Sequence, residues 1–313
     1  MGRGRGEPEP KFFLGSGGEG RKGKPQTMLT RILDHKRQEI ARLDLSDWKT
    51  RAADSPAPRK FLPLDPTRAS RPRAVPMLIA EIKRASPSRG ELNARLDPIR
   101  QAHIYAENGA AAISILTDEK FFRGSIDDLF ALRREVLETP GGQALPLLRK
   151  DFLLAPVQLY QTRALGADAV LLIAVALEGG KLADMHALAL ELGLTPLLEV
   201  HTGDELDRAL TVADLCWVGV NNRNLATFEV RPQASLELGP EIPPAIGSVA
   251  ESGIMNAEDA VAAGKAGYDA ILVGEALVTA EDTAAKVREL AIPTTPPIWL
   301  RRMTGDKEGG HDH

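Results

Sequence analysis

A single (β/α)₈ barrel with an extra N-terminal helix is the fold that this sequence predicts. Between Met77 and Leu290 one unit recurs eight times, namely a short apolar strand, a polar or glycine-bearing loop and a helical pattern. Strands that are apolar on both faces and alternate with helices indicate a parallel sheet covered by helices. Eight such units in roughly 215 residues match the (β/α)₈ barrel, whose usual size is about 250 residues. A doubly wound open sheet is the alternative, weakened because no G-x-G-x-x-G motif follows the first strand.

The eight predicted strands are spaced along the whole of this region. They are Leu78–Lys83, Ala111–Leu116, Leu145–Lys150, Ala169–Ile173, Thr195–Val200, Leu215–Asn221, Gly247–Glu251 and Ala270–Val273. Helical patterns lie between them, for example over Lys181–Leu192, Gly203–Val212 and Ala257–Gly267. The change from strand to helix at each step is typical of successive βα units.

Two segments of different composition flank the expected domain. Residues 1–27 consist largely of Gly, Pro and charged residues with too little apolar surface to fold, which predicts a disordered tail. Residues 28–293 are expected to form one barrel domain that includes the N-terminal helix, and residues 294–313 a polar C-terminal tail. A Pro-rich connector over residues 55–76 leads into the first strand.

An amphipathic helix is predicted over Met28–Leu43, at the start of the domain. Its apolar positions recur near the helical period; they are Leu29, Ile32, Leu33, Ile40 and Leu43. Because an apolar stripe is stable only when it is covered, we expect this helix to pack against the barrel.

Composition narrows the class of protein. With 43% hydrophobic and 26% charged residues, the chain has an ordinary globular composition. A net charge of -4 and a pI near 5.9 give no reason to expect nucleic acid or a membrane surface as a partner. No run of about 18 apolar residues suggests a spanning helix, and residues 1–27 lack the apolar stretch of a signal peptide. The single Cys216 excludes an internal disulfide and fits a reducing cytoplasm, which is the expected location.

Polar residues gather where the predicted strands end. Active sites of this fold lie at the C-terminal ends of the strands, so an enzyme should carry its chemistry there. The strand ends carry Glu81, Lys83, Lys150, Asp151, Glu199, His201, Asn221, Asn222, Arg223, Glu251 and Ser252, whereas the strand starts carry Leu78, Pro146, Pro196 and Ile246. Contact with solvent explains one or two charged strand ends but not five, since inward charges are costly unless they bind something.

Alternation of side chains along a strand sorts these residues by face. The residues that share the inward parity, and therefore converge on one mouth, are Glu81, Lys83, Lys150, Glu199, Asn221 and Glu251. Arg149 and Asp151 have the opposite parity and are expected to be structural, paired behind the barrel wall. His201 is interpreted as a loop or helix-entry residue, outside the catalytic set.

The loops after strands 7 and 8 predict a phosphate site. Barrels frequently bind phosphate with these two loops and a helix N-terminus. Ser252 and Gly253 follow strand 7, and Gly274 and Glu275 follow strand 8. Either glycine alone is explained as a turn residue, but the pair, with Ser86 across the mouth, favours phosphate.

These residues lie in motifs that resemble the indole-3-glycerol phosphate synthase family, from about Met28 to Leu290. The motifs, in the order of that family, are IAEIKRASPSRG, LTDEKFFRGS, LPLLRKDFLL, GADAVLLI, LLEVH, VGVNNRNL, VAESGI and ILVGEAL. One position departs from the pattern, because Asn224 stands where the family usually has Asp. That residue falls off the inward parity, so only a local change is expected.

The resemblance implies an enzyme that closes a pyrrole ring. Its substrate would be 1-(2-carboxyphenylamino)-1-deoxyribulose 5-phosphate, and the reaction would release CO₂ and then water to give indole-3-glycerol phosphate. By the resemblance Lys150 is the general acid for the ketone, and Lys83 holds the substrate carboxylate. Glu199 is the principal candidate for the proton transfers of dehydration, with Lys83 or Glu81 in support. In that family the N-terminal helix lies over the mouth of the barrel.

The remaining site residues follow from the same resemblance. Catalytic roles are expected for Lys150, Glu199, Lys83, Glu81 and Asn221; substrate contacts for Ser86, Phe122, Phe152, Arg223, Glu251 and Ser252; and phosphate contacts for Ser86, Gly253, Gly274 and Glu275. Phe121 is expected to pack beside Phe122 against the anthranilate ring.

No cofactor and no metal is expected, because the sequence offers no Cys or His cluster and the interleaved lysines would repel a cation from the inward carboxylates. The expected partner is a small phosphorylated substrate, with transient contacts to other enzymes of the tryptophan pathway. Two alternatives remain. One is a non-catalytic barrel that binds a phosphorylated ligand. The other is a barrel like phosphoribosylanthranilate isomerase, which would carry an inward Cys where this chain has Glu81 or Lys83.

Overall fold

A computed structural model describes residues 27–64, 76–135, 142 and 144–291 of the chain. The predicted tail over residues 1–27, apart from Thr27, and the predicted tail over residues 294–313 lie outside these ranges. The expected bounds of the domain therefore stay a prediction at both ends.

Eight parallel strands form a closed barrel, as predicted, and the open sheet is excluded. The strands are β1 Met77–Ile82, β2 Ala112–Leu116, β3 Leu147–Lys150, β4 Ala169–Ile173, β5 Thr195–Val200, β6 Trp217–Asn221, β7 Gly247–Glu251 and β8 Ala270–Val273. Each strand pairs with its neighbours in chain order, and β1 pairs with both β2 and β8, which closes the ring. Closure leaves the barrel without an unpaired edge.

Three strands begin later than predicted, β2 by one residue and β3 and β6 by two, because their first predicted residues lie outside the strands. Leu145 and Pro146 lie before β3, and Leu215 and Cys216 lie before β6. Lys83 lies one residue beyond the end of β1, so it belongs to the rim of the barrel and not to its wall. These differences shift boundaries but leave the predicted order of elements intact.

Helices cover the outside of the barrel and precede its first strand. They are α1 Met28–Ile40, α2 Leu45–Asp54, α3 Pro98–Glu107, α4 Glu119–Phe122, α5 Ile126–Arg134, α6 Pro156–Ala164, α7 Lys181–Glu191, α8 Gly203–Leu210, α9 Gln233–Leu238, α10 Ala257–Lys265, α11 Glu275–Val278 and α12 Thr283–Ala291. Short 3₁₀ turns cover Ala174–Ala176 and Gly239–Glu241. Within the described ranges, no helix has the length and apolar character needed to cross a membrane.

The N-terminal region contains two helices where one was predicted. Helix α1 ends at Ile40, before the predicted end at Leu43. The carboxylate of Asp44 then accepts hydrogen bonds from the backbone N–H groups of Ser46 and Asp47, which starts a second helix. Side-chain capping of this kind satisfies backbone donors at the first turn, and it explains why the chain breaks and re-forms a helix here.

The N-terminal segment passes from one end of the barrel to the other. Helix α1 lies at the C-terminal ends of β2 and β3, where Ile32 is fully buried. Helix α2 packs along α6 on the outside of the barrel. Beyond it, Phe61 and Leu62 close the opposite end, where the Phe61 ring meets Trp217 edge-on at 6.0 Å. The segment therefore contributes to the core at both ends.

Asp168 fastens this segment to the N-terminal end of the sheet. Its carboxylate accepts hydrogen bonds from the backbone and guanidinium of Arg59 at 2.6–3.0 Å, and from the backbone N–H of Leu147 at 2.8 Å. Arg133 approaches the same carboxylate at 3.3 Å. Because Asp168 is fully buried, these donors replace the water that the carboxylate loses on folding.

We predict that Asp168→Asn lowers the free energy of unfolding by about 3 kcal/mol, because it leaves two arginines without their anion at a buried site. Chemical denaturation followed by circular dichroism measures this change. Asp207→Asn, at an exposed position on α8, is the matched control and should leave the midpoint unchanged. Equal midpoints for the two variants would show that the Asp168 contacts add nothing to stability.

The burial of His186 on α7 predicts that the stability of the protein depends on pH. Its imidazole is 1% exposed, and within the described part of the chain neither ring nitrogen has a hydrogen-bond partner. Burial lowers the pKa of His186, with Asp214 acting weakly in the opposite direction. The unfolded chain therefore takes up a proton more readily than the folded one, and stability falls as the pH drops through about 6.5.

We expect His186→Leu to remove part of this loss of stability between about pH 7 and pH 5, the range in which an unfolded histidine gains its proton. Melting temperatures across that range give the comparison. His103→Leu, at a more exposed site on α3, is the control and should keep the wild-type pH profile. A profile for His186→Leu identical to wild type would contradict the assignment.

Candidate active site

A cavity of about 560 Å³ opens at the C-terminal ends of the strands. The predicted site residues that line it are Glu81, Lys83, Phe122, Lys150, Phe152, Glu199, Asn221, Arg223, Ser252, Gly253, Gly274 and Glu275. Glu251 lies just beneath the cavity, fully buried, with its carboxylate against Lys150. The inward parity read from the strands therefore brings these side chains to one mouth.

The ammonium group of Lys150, at the end of β3, is held between carboxylates. Its Nζ donates to Glu251 Oε2 at 2.5 Å and lies 3.5 Å from Glu199 Oε2. Burial alone would lower the pKa of Lys150, but Glu251, Glu199 and Glu81 raise it above its ordinary range. The free site therefore stores a proton on Lys150, as a general acid requires.

Glu199 and Glu251 share this lysine, but their surroundings shift their pKa values in opposite directions. Burial alone would raise the pKa of Glu199, but Lys150, His201 and a hydrogen bond from Asn221 lower it. Burial and the neighbouring charge of Glu199 raise the pKa of Glu251, against the pull of Lys150. Carboxyl groups whose environments separate their pKa values are typical of acid–base sites.

Glu81 and Lys83 form a second ion pair at the end of β1. Lys83 Nζ lies 2.6 Å from Glu81 Oε1, and the Glu81 side chain is almost fully buried. Burial alone would raise the pKa of Glu81, but Lys83, Lys150 and Arg223 lower it. Lys83 is more exposed to the cavity than Glu81 and presents its charge to a ligand there.

Two glycines leave the space that these carboxylates occupy. A Cβ placed on Gly219 would come within 2.2 Å of Glu251 Oε1, and one placed on Gly274 within 2.3 Å of Glu81 Oε1. Gly219 was not among the predicted site residues, and Gly274 was assigned only to phosphate. Since any side chain would displace a carboxylate, both positions are required by the charged groups beside them.

Asn221 and Arg223 are oriented by the chain that follows β6. The backbone N–H of Arg223 donates to Asn221 Oδ1 at 2.9 Å, which leaves the amide nitrogen of Asn221 free to face Glu199. The guanidinium of Arg223 donates to Ser88 Oγ at 2.8 Å and to the carbonyl of Phe228 at 3.2 Å. Arg223 therefore stands at the rim, between the loops after β1 and β6.

The loops predicted to bind phosphate lie beside Arg223. Ser252 and Gly253, directly after β7, both have positive φ values of 65° and 82°. Successive residues in unusual backbone regions can turn their N–H groups toward an anion. Glu275 follows Gly274 at the start of α11, and its carboxylate pairs with Arg89 at 2.9 Å and with Arg223 at 3.9 Å. The side chain of Glu275 thus contacts arginines, so only its backbone is suited to a phosphate.

Ser86 differs from the expected placement. Its hydroxyl accepts a hydrogen bond from the backbone N–H of Arg89 at 3.3 Å, and the side chain is buried in its own loop. Ser86 does not line the cavity, whereas Ser88 and Arg89 do. The contact of Ser86 across the mouth therefore stays a prediction, while in this structure its hydroxyl stabilises the turn that follows β1.

The structure separates the Phe121–Phe122 pair. Phe122 lines the cavity with Phe152, and their ring centroids are 6.2 Å apart. Phe121 instead packs edge-on against His35 of α1 at 6.0 Å. Of the three phenylalanines expected at the substrate ring, Phe122 and Phe152 therefore line the cavity, whereas Phe121 joins α1 to the rim.

Lys36 on α1 was missed by the sequence reasoning. Its ammonium is 3% exposed and lies 2.8 Å from Asp151 and 3.1 Å from Asp118. Asp151 also contacts Arg149 at 3.1 Å and Thr117 at 2.7 Å, behind the barrel wall where it was expected. The available signal was the position of Lys36 on the apolar stripe of the helix, where a lysine is buried only with a partner.

His201 was also underestimated. His201 directly follows β5 and continues the parity of Glu199, and its Nε2 lies 3.3 Å from Glu199 Oε1. The other ring nitrogen, Nδ1, lies 3.1 Å from Glu205 Oε2. The shared parity was the signal that placed this imidazole beside an inward carboxylate.

Within the residues that the structure describes, no group of three or more His, Cys, Asp or Glu side chains is arranged to hold a metal ion. The charges of the mouth are instead arranged as alternating carboxylates and amines, so they suit an organic anion and proton transfer.

Comparisons with known proteins agree with this geometry. The family model described as indole-3-glycerol phosphate synthase matches residues 29–290. An indole-3-glycerol phosphate synthase of Roseiflexus castenholzii is 47% identical over 272 residues, covering 84% of this chain and 98% of that protein. One from Desulforamulus reducens is 44% identical over 270 residues, covering 85% of this chain and 97% of that protein.

A solved structure shares the fold without close sequence similarity. It is a thiamine phosphate pyrophosphorylase from Pyrococcus furiosus, with a TM-score of 0.50 and 19% identity, covering 70% of this chain and 94% of that one. This likeness concerns the barrel alone. The family match and the high identity over most of the chain decide the assignment: the chain belongs to the indole-3-glycerol phosphate synthase family.

Proposed function

We propose that the mouth of the barrel converts 1-(2-carboxyphenylamino)-1-deoxyribulose 5-phosphate into indole-3-glycerol phosphate, with Lys150 and Glu199 as the principal proton-transfer groups. The observation that carries this proposal is the Lys150 ammonium held between Glu199 and Glu251 at the floor of the cavity. The chain is a lyase of tryptophan biosynthesis, as its family membership states.

Ring closure requires an acid at the ketone oxygen. As the aromatic carbon attacks the ketone carbon, the oxygen takes a proton from Lys150 and becomes a hydroxyl. The raised pKa of Lys150 keeps that proton in place until the oxygen gains negative charge. The carbon–carboxylate bond then breaks, CO₂ leaves, and its electron pair restores the aromatic ring.

Lys83 is assigned to the substrate carboxylate before CO₂ leaves. Its ammonium is paired with Glu81 and lines the cavity, where it can contact an anion. Once the carboxylate is lost, Lys83 or Glu81 is free to support the later proton transfers. Phe122 and Phe152 supply apolar surface for the anthranilate ring.

Dehydration requires a base and an acid at the same time. Glu199 is proposed to take the proton that leaves the sugar carbon or the nitrogen, while Lys83 delivers a proton to the departing hydroxyl. The low pKa of Glu199 keeps it ionised, which is the form that can accept a proton. Asn221 and Glu251 are placed to hydrogen-bond the substrate hydroxyls.

The phosphate is assigned to the rim opposite Lys150. Arg223 supplies positive charge, and Ser252, Gly253, Gly274 and Glu275 supply backbone N–H groups of the loops after β7 and β8. Ser88 and Arg89 of the loop after β1 line the cavity, and Ser88 accepts a hydrogen bond from Arg223.

The two alternatives are less well supported. A barrel that only bound a phosphorylated ligand would have no use for an ammonium between two carboxylates. A phosphoribosylanthranilate isomerase-like site would need a cysteine at the mouth, but Cys216 precedes β6 and is exposed. Conversion of the carboxyphenylaminodeoxyribulose phosphate, followed by indole fluorescence, tests the proposed function directly.

A cytoplasmic location and transient contacts with other enzymes of the tryptophan pathway are proposed on the same basis. The location is supported by the single, unpaired Cys216. The contacts rest on the family membership alone.

Lys150→Ala should lower kcat by about 10²-fold or more, because the ketone oxygen loses its acid. Lys150→Arg should lose similar activity while retaining the charge between Glu199 and Glu251, since a guanidinium does not give up its proton. Calorimetric titration with inorganic phosphate should give near wild-type affinity for both variants. Lys265→Ala, exposed on α10, is the control. Full activity in either Lys150 variant would remove this residue from the mechanism.

Glu199→Gln should lower kcat by about 10²-fold or more, since the amide keeps the size of the side chain but cannot accept a proton. Substrate decay and the rise of indole fluorescence, measured in the same experiment, should report this loss of kcat. Glu237→Gln, exposed on α9, provides the matched control. Normal turnover would move the base elsewhere, with Glu81 as the next candidate.

A further inference from the structure

The imidazole of His201 bridges a buried carboxylate of the mouth and a carboxylate outside it. Its Nε2 lies 3.3 Å from Glu199 Oε1, and its Nδ1 lies 3.1 Å from Glu205 Oε2. The His201 side chain is 10% exposed and that of Glu199 is 2% exposed. The imidazole therefore sits between two anions in a region that water barely reaches.

The position of the ring is fixed by the helix that follows it, α8. The carboxylate of Glu205 accepts a hydrogen bond from the backbone N–H of His201 at 2.9 Å, in addition to its contact with the ring. Thr202 caps α8 by accepting from the backbone N–H of Glu205 at 3.2 Å. Glu205 is thus held at the first turn of α8, and it holds the imidazole against Glu199.

The proposed reaction creates a charge problem at Glu199. In the free enzyme its Oε2 faces the Lys150 ammonium at 3.5 Å and its Oε1 faces His201. When Lys150 gives its proton to the ketone oxygen, Glu199 loses one of these two cations. A buried carboxylate without a cation tends to take up a proton, and a protonated Glu199 cannot act as a base.

We propose that His201 is a positioning residue, which keeps Glu199 in its ionised form while Lys150 is without its proton. This inference rests on the proposed function, since it assumes that Glu199 is the base of dehydration. His201 itself transfers no proton to the substrate. Its positive charge, held by Glu205, supplies the counterion that Lys150 withdraws during ring closure.

The groups around His201 agree with this role. The titratable groups facing the imidazole are Glu199 on β5 and Glu205 on α8, and both are carboxylates. Burial alone would lower the pKa of His201, but Glu199 and Glu205 raise it to about 10. Lys150 on β3 reaches Glu199 from the side opposite to His201. The imidazole is therefore a cation at neutral pH.

The test compares four variants in steady-state turnover across pH. His201→Asn should lower kcat about tenfold with KM nearly unchanged, and should move the acidic limb of the kcat profile upward by about one pH unit, as expected when a carboxylate loses one cation. His201→Lys, which restores a positive charge, should recover most of kcat. Glu205→Gln should cause a smaller loss in the same direction. His103→Asn, on the far side of the barrel wall on α3, should behave as wild type.

Glu199→Gln separates failure of this inference from failure of the proposed function. Loss of turnover in Glu199→Gln together with a wild-type kcat and pH profile in His201→Asn would overturn the role of His201 alone. Normal turnover in Glu199→Gln would overturn the proposed function first. A loss in His201→Asn that follows a lower melting temperature, and that His201→Lys does not recover, would show a merely structural role and would also overturn the inference.

Discussion

The mouth of this barrel depends on keeping one buried ammonium group surrounded by carboxylates. Lys150 is stable there because Glu251 and Glu199 offset the loss of water, and its ammonium in turn offsets part of the cost of burying those carboxylates. The side chains missing at Gly219 and Gly274 are part of the same constraint, since they leave room for carboxylates. The mouth therefore contains buried charged groups in place of packed apolar side chains. The apolar layers below the mouth supply the stability that the mouth does not.

The sequence was sufficient for the fold and for most of the mouth. Strand alternation needs only local information, and the parity of Glu81, Lys150 and Glu199 follows from their distance to apolar neighbours in the same strand. The closed barrel then brings all strand ends to one side, so convergence required no knowledge of individual contacts. Element boundaries were less well predicted, because a ladder of hydrogen bonds between two strands decides where each strand begins.

The sequence was insufficient wherever one particular partner places a side chain, whether that partner lies far along the chain or in the next turn. Lys36 lies on an apolar stripe that reads as uninterrupted helix, and its carboxylate partners follow β2 and β3. The direction of Ser86 depends on a turn, since its hydroxyl bonds to Arg89 three residues later and not across the mouth. His201 has inward parity, but the orientation of its imidazole depends on the contact with Glu205. That contact can be seen only in the structure, where α8 places Glu205 beside the ring.

The path of the N-terminal segment has a consequence for how a new chain is assembled. Arg59 and Asp168, which meet at the lower end of the barrel, are 109 residues apart in sequence. Lys36 likewise pairs with Asp151, far along the chain, at the upper end of the barrel. During synthesis this segment therefore has no docking site until half of the barrel has followed it. Contacts between residues so far apart in sequence form late, so a segment that is made before the barrel docks only after much of the barrel is in place.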